Sequence, residues 1–222
     1  MPREGYRESL DDLRSDVLAM GDRVIDQLDK SLQCAETHDE SLARAVIDGD
    51  EEINETYLRL EDRCVDLFAL QQPVAGDLRF VTASFKIITD LERIGDLATN
   101  LSRYALSGSS TVVSEERIRT IGETAADQVR RALDAYADAD AAACRAIAER
   151  DDEVDALCQN ASEAVVRELI VGEPDQWDAE RLLDDVSRLL LTIRDLERVG
   201  DHAVNIAARS LYMDAADPEL IY

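Results

Sequence analysis

Apolar residues recur three or four positions apart along almost the whole chain, the spacing of one face of an α-helix. Leu10, Leu13, Val17, Val24, Leu28 and Leu32 mark a first long helix. Thr37-His-Asp39 reads as a turn whose aspartate caps the next helix. Leu42, Val46, Ile53, Tyr57, Leu60, Cys64 and Leu67 form the stripe of a second helix, which Gln71-Gln-Pro73 ends. A third begins near Asp77 and carries Ile87, Leu91, Ile94, Ala98 and Leu101. Ser107-Gly-Ser-Ser-Thr111 is a linker. The plan then repeats. A fourth helix starts near Ser114, and a fifth runs from the Ala137-Asp-Ala-Asp140 break to about Val171. After Gly172-Glu-Pro174, a sixth runs from about Trp177 to Tyr212. Three long helices per half, joined by short turns, predict an all-α fold of two tandem antiparallel three-helix bundles, residues 1–108 and 112–222.

The polar positions repeat as well. Asp90-Leu-Glu-Arg-Ile-Gly-Asp96 returns as Asp195-Leu-Glu-Arg-Val-Gly-Asp201, 105 positions on, and each copy continues to an asparagine, Asn100 or Asn205. Asp50-Glu-Glu-Ile-Asn54 returns as Asp151-Asp-Glu-Val-Asp155, 101 positions on. The chain is therefore an internal duplication, and a repeat this polar is not explained by packing alone. At about 100° per residue, Glu92 lies roughly 140° and Asp96 roughly 180° from the centre of the third helix's apolar stripe, facing away from the core. Glu197 and Asp201 occupy the same places on the sixth helix.

Like charges four apart repel and destabilise a helix by some tenths of a kcal/mol, and a bound cation reverses that sign. Oxygen ligands from two helices suit magnesium, manganese, iron or zinc. Asp50, Asp151 and Asp155 flank their stripes and are candidate contributors from the neighbouring helices. The competing reading is a solvated acidic face, since in a chain this acidic such pairs arise often by chance, Glu51 and Glu55 being another example. Arg93 and Arg198 are read either as intrahelical ion-pair partners or as anion or partner contacts. Gly95 and Gly200 cost helix stability, which implies close approach of a neighbouring helix there. His202 adjoins Asp201 and is a minor candidate, while His38 is read as structural.

Charge narrows the function classes. Lys+Arg is 24 and Asp+Glu is 49, a net charge of −25. Such a field repels nucleic acid and attracts cations and basic partners. With Lys30 and Lys86 the only lysines, the acidity suggests adaptation to high salt. The N-terminus has no signal-like apolar core and no run is long enough to span a membrane, so a cytoplasmic protein is expected. Cys34, Cys64, Cys144 and Cys158 lack paired spacing and read as buried thiols. The chain has no Glu-x-x-His, P-loop, nucleophile elbow or dinucleotide fingerprint.

Taken together, Gln71-Gln-Pro-Val-Ala-Gly-Asp-Leu-Arg79, the Asp90–Asp96 tract, Asp195-Leu-Glu-Arg-Val-Gly-Asp-His-Ala-Val-Asn205 and Asp50–Asn54 resemble the PhoU family of phosphate-uptake regulators over nearly the full length. The resemblance implies two tandem three-helix bundles with metal clusters at E/D-x-x-x-D motifs. Carried over, these are Glu92 and Asp96, then Glu197 and Asp201, with Asp50, Asp151 and Asp155 matching less securely. It implies divalent or trivalent metal ions (iron, zinc, manganese or magnesium), a homodimer, and a non-enzymatic negative regulator of high-affinity phosphate uptake. The partners it implies are a phosphate ABC transporter and a sensor histidine kinase. The second half departs from the pattern, with Gly172-Glu-Pro-Asp-Gln-Trp177 in place of the Gln-Gln-Pro turn. Asn54 stands where the motif expects an acid, so the first cluster is expected to hold fewer ions. The alternatives are a carboxylate-bound metalloenzyme acting on phosphate esters and a metal-free helical scaffold.

Overall fold

In a computed structural model describing residues 3–70, 75–107, 115–171 and 179–221, the elements are all helical. They are α1 (Arg3–Thr37), α2 (Glu40–Leu70), α3 (Ala75–Leu106), α4 (Glu115–Asp138), α5 (Ala141–Glu149), α6 (Asp151–Val171) and α7 (Ala179–Ala215). The first three pack together as one bundle and the last four as its repeat, joined through α1 against α4 and α3 against α7. The Gln71–Pro73 turn, most of the Ser107–Thr111 linker and the Gly172–Pro174 break lie outside the described residues.

The duplication is visible in the turns. His38 and Ala139, 101 positions apart, both take a positive φ, 52° and 53°. Each is followed by a capping aspartate. Asp39 accepts from the backbone N–H groups of Ser41 and Leu42, and Asp140 from those of Ala142 and Ala143. Each cap satisfies two N–H groups that the helix itself cannot, worth about 1 kcal/mol.

The stripes of the pattern form the core. Leu13, Val17, Val24 and Leu28 of α1, Ile53 and Leu60 of α2, and Ile87, Leu91 and Ile94 of α3 are all buried. Their counterparts Val129, Val154, Leu196, Val199 and Ile206 fill the second half. At about 1.5–3 kcal/mol per fully buried Leu, Ile or Val, these contacts dominate the fold. The four cysteines are buried and free.

Two features differ from the sequence reading. The fifth helix is not continuous to Val171, because Arg150, at φ −98° and ψ 3°, ends α5. Its carbonyl turns to accept from the Glu153 N–H and from the Gln128 side-chain amide, at 3.0 and 3.2 Å. Asp151, Asp152 and Glu153 favour a new helix start by facing its positive end. Secondly, α3 is buried on more than one face. Ile88, Gly95, Leu97 and Thr99 are buried beside the expected stripe, because α3 packs against α7 as well as α1 and α2.

The two halves meet reciprocally. A Cβ on Gly21 of α1 would fall 2.6 Å from a Leu133 methyl, and one on Gly122 of α4 would fall 2.4 Å from a Leu32 methyl. Both members of these pairs are related by 101 positions, so α1 and α4 cross through matching glycine notches.

Candidate metal centre

Each copy of the acidic motif divides its residues among three tasks. Leu91, Ile94, Leu196 and Val199 enter the cores. Gly95 and Gly200 admit the neighbouring helix, since a Cβ at either would lie 3.3 Å from Ile53 or Val154 respectively. That leaves the acids facing the α2–α3 and α6–α7 seams.

In the first half, Glu92 is nearer the interior than the helical wheel implied. Its side chain is only 17% exposed, against 40% for Asp96. The cover given by the flanking helices accounts for the difference. Burial raises the Glu92 carboxyl, and Asp96 and Asp50 raise it further, while Arg93 and His202 oppose them. Arg93 bridges Glu92 at 3.4 Å and Asp96 at 3.1 Å, the intrahelical pairing the sequence offered as one reading. Asp50 reaches the same seam from α2. Its Oδ1 accepts from Thr99 Oγ1 at 3.1 Å and Gln27 Nε2 at 3.5 Å, and its Oδ2 accepts from Asn54 Nδ2 at 3.2 Å.

In the second half, Asp151, Asp155 and Asp201 each bring a carboxylate oxygen within 4.8 Å of the other two. Burial and then Asp155 raise Asp201, and burial, Asp155 and Asp201 raise both Asp151 and Glu197. Beneath them, burial first and then Glu197, Asp155 and Asp201 push the Cys158 thiol up to about 12. Buried Gln128 of α4 stands beside this seam with its Oε1 lacking any hydrogen-bond partner. The raised carboxylates and the unanswered amide oxygen are oxygen donors of the kind hard cations take.

The structure thus brings Asp50, Glu92 and Asp96 to one seam, and Asp151, Asp155, Glu197 and Asp201 to the other. It also assigns the leading aspartates, which sequence reasoning left without a role. Asp195, fully buried, accepts from Tyr104 of α3 at 3.0 Å and from Arg194 at 3.0 Å. Asp90 of α3 pairs with His202 Nδ1 of α7 at 2.9 Å and accepts from Asn205 at 3.4 Å. Each leading aspartate therefore ties its own half to the other. Repetition of Asp90 as Asp195 was the available signal; which helix each one faces was not in the pattern.

The PhoU domain profile matches residues 17–105 and 118–210, most of the chain. The chain belongs to the PhoU domain family. A PhoU homologue of Pseudomonas putida, described as a phosphate-specific transport system accessory protein, is 34% identical over 94% of this chain and 80% of its own length. The PhoU accessory protein of Escherichia coli K12 is 32% identical over 93% of this chain and 84% of its own. Among solved structures, PhoU from Pseudomonas aeruginosa superposes with a TM-score of 0.85 at 33% identity, covering 96% of this chain and 100% of that one. The phosphate transport system regulatory protein PhoU from Streptococcus pneumoniae gives 0.83 at 26% identity, covering 96% and 98%. The two PhoU matches coincide with the two bundles, so each domain carries one acidic seam.

Proposed function

We propose that this protein is a negative regulator of high-affinity phosphate uptake, acting as a metal-binding adaptor on a phosphate ABC transporter. The observation that carries this reading is membership of the PhoU family through both halves, with relatives named as accessory proteins of phosphate-specific transport. No helix among the described residues is long and apolar enough to cross a membrane. That fits contact with the transporter from the cytoplasm through helix faces, as a homodimer, with a sensor kinase as a further partner. In this reading, divalent or trivalent ions at the acidic seams offset carboxylate repulsion and hold α3 and α7 in the orientation a partner reads. Deleting the gene should raise uptake of labelled phosphate in phosphate-replete cells. Unchanged uptake in a host with no second PhoU gene would overturn the regulatory reading. Turnover of a phosphoester by metal-loaded protein, lost in Asp96→Ala and Asp201→Ala, would favour an enzyme instead.

A further inference from the structure

We propose that the two acidic seams have divided their roles. The α6–α7 seam is the tight cation site, with the buried Gln128 amide beside it at Gly200, and the α2–α3 seam is balanced by hydrogen bonds and binds a cation far more weakly. This rests on reading the seams as cation sites, and it says which of them fills.

Equivalent positions make the comparison direct. Asp50 and Asp151 correspond, but their surroundings do not. Asp50 receives three neutral donors, from Thr99, Gln27 and Asn54. In the second half every one of these donors is lost to Asp151. The counterpart of Asn54 is Asp155, an acceptor, and the counterpart of Thr99 is Val204, which has no hydroxyl. Gln128, the counterpart of Gln27, turns its Nε2 to the Arg150 carbonyl instead. Substitution has thus taken from Asp151 the amide and hydroxyl donors that Asp50 keeps, while His202 and Arg198 are the basic groups that still act on Asp201.

Gln128 is the independent sign of a ligand. It is 3% exposed, and its Oε1 has no donor. The same oxygen lies 3.2 Å from where a Cβ on Gly200 would stand. The amide is therefore wedged between Arg150 and Gly200, the residues that precede Asp151 and Asp201. A buried acceptor left unmade costs about 1–3 kcal/mol. Three carboxylate oxygens within 4.8 Å of one another add repulsion. A hard cation, which takes carboxylate and amide carbonyl oxygens together, removes both costs at once. In the first seam the equivalent Gln27 Oε1 is not among the buried oxygens left without a partner, and its Nε2 donates to Thr99 and to the Gly95 carbonyl.

The full-length protein, stripped with chelator, is titrated with Mn²⁺ by calorimetry, and bound manganese is counted after desalting. Tight binding should survive Asp50→Asn with Asp96→Asn and disappear in Asp155→Asn with Asp201→Asn. Equal loss in the two pairs, or loss in the first pair alone, overturns the division. Gln128→Met should weaken the tight class by about 10-fold or more, the scale on which groups around a metal site act. Unchanged affinity removes Gln128 from the site. Circular dichroism checks that the helices persist. A gain-of-function variant tests the proposal if Gln128→Met fails to fold. Asn54→Asp with Thr99→Val should give the first seam a second tight Mn²⁺ class, and no added class counts against the proposal. Wild-type protein that binds no Mn²⁺ at all refutes the cation reading itself, a result distinct from binding shared equally by both seams.

Discussion

Glu92, Asp151, Glu197 and Asp201 all hold a proton more tightly than free carboxylates do, with burial the first cause in each case. The sign of the consequence follows from linkage. A group raised on folding binds more protons in the folded state, so stability falls as pH rises through its folded pKa. The contribution is fully present below the ordinary values of 3.8 for Asp and 4.5 for Glu, and it is lost above the raised ones. At neutral pH the metal-free seams therefore cost stability. In chelator at pH 7, Asp201→Asn should melt about 1–2 °C above wild type, what some tenths of a kcal/mol of relieved repulsion is worth at this size. The gap should narrow as pH falls and close well below 3.8, the ordinary aspartate value, where Asp201 is protonated whether folded or unfolded. Excess Mn²⁺ should reverse the order, since a ligand at 100 times its Kd adds about 2.7 kcal/mol to wild type alone. A variant that melts below wild type in chelator at pH 7 would show that Asp201 stabilises the fold by some other contact.

At the scale of elements, the leading aspartates make α3 and α7 a pair held from both ends. Tyr104 donates to Asp195 in one direction, and His202 and Asn205 meet Asp90 in the other. Tyr104→Phe removes one hydrogen bond to a buried carboxylate while keeping the ring, so unfolding in urea should show a loss of about 1–2 kcal/mol. No loss would mean that Arg194, at 3.0 Å, and Arg198, at 3.9 Å, answer the Asp195 charge without Tyr104. The helices themselves were legible, because a stripe at period 3.6 needs only the sequence, and the two capping turns were marked by Asp39 and Asp140. The break at Arg150 was not, because it depends on an amide from α4 capturing the Arg150 carbonyl. Nor was the partial burial of Glu92. A wheel centred on one stripe assumes a helix with one covered face, and α3 has neighbours on several. The acidic positions were legible through their repetition, whereas the contrast between donors at Asp50 and acceptors at Asp151 required knowing which side chains meet. Asn54 gave the one early sign of it.

For the molecule as a whole, the question is whether −25 charges are carried by local pairing or by solvent. Among the ion pairs that join helices, Arg23 with Glu52 and Arg130 with Asp29 have both partners well exposed. Exposed pairs of this kind contribute about 0–1 kcal/mol each, and salt weakens them. Screening also weakens the long-range repulsion among 49 acids facing 24 bases. The two effects of salt oppose each other, and the imbalance decides between them. Every basic residue can be paired and roughly half the acids still repel at distances beyond contact. These are the distances that fall outside the Debye length as it shrinks from about 10 Å at 0.1 M to about 3 Å at 1 M. The melting temperature in chelator at pH 7 should therefore rise between 0.1 and 2 M potassium chloride, by about 5 °C or more. Chloride is the salt to use, because sulfate and phosphate strengthen burial by exclusion from the surface. At pH 4, where many carboxylates are neutral, the same scan should be nearly flat. A melting temperature that falls with salt at pH 7 would mean that the exposed pairs outweigh the net charge, and the acidity would then have no part in adapting the fold to brine.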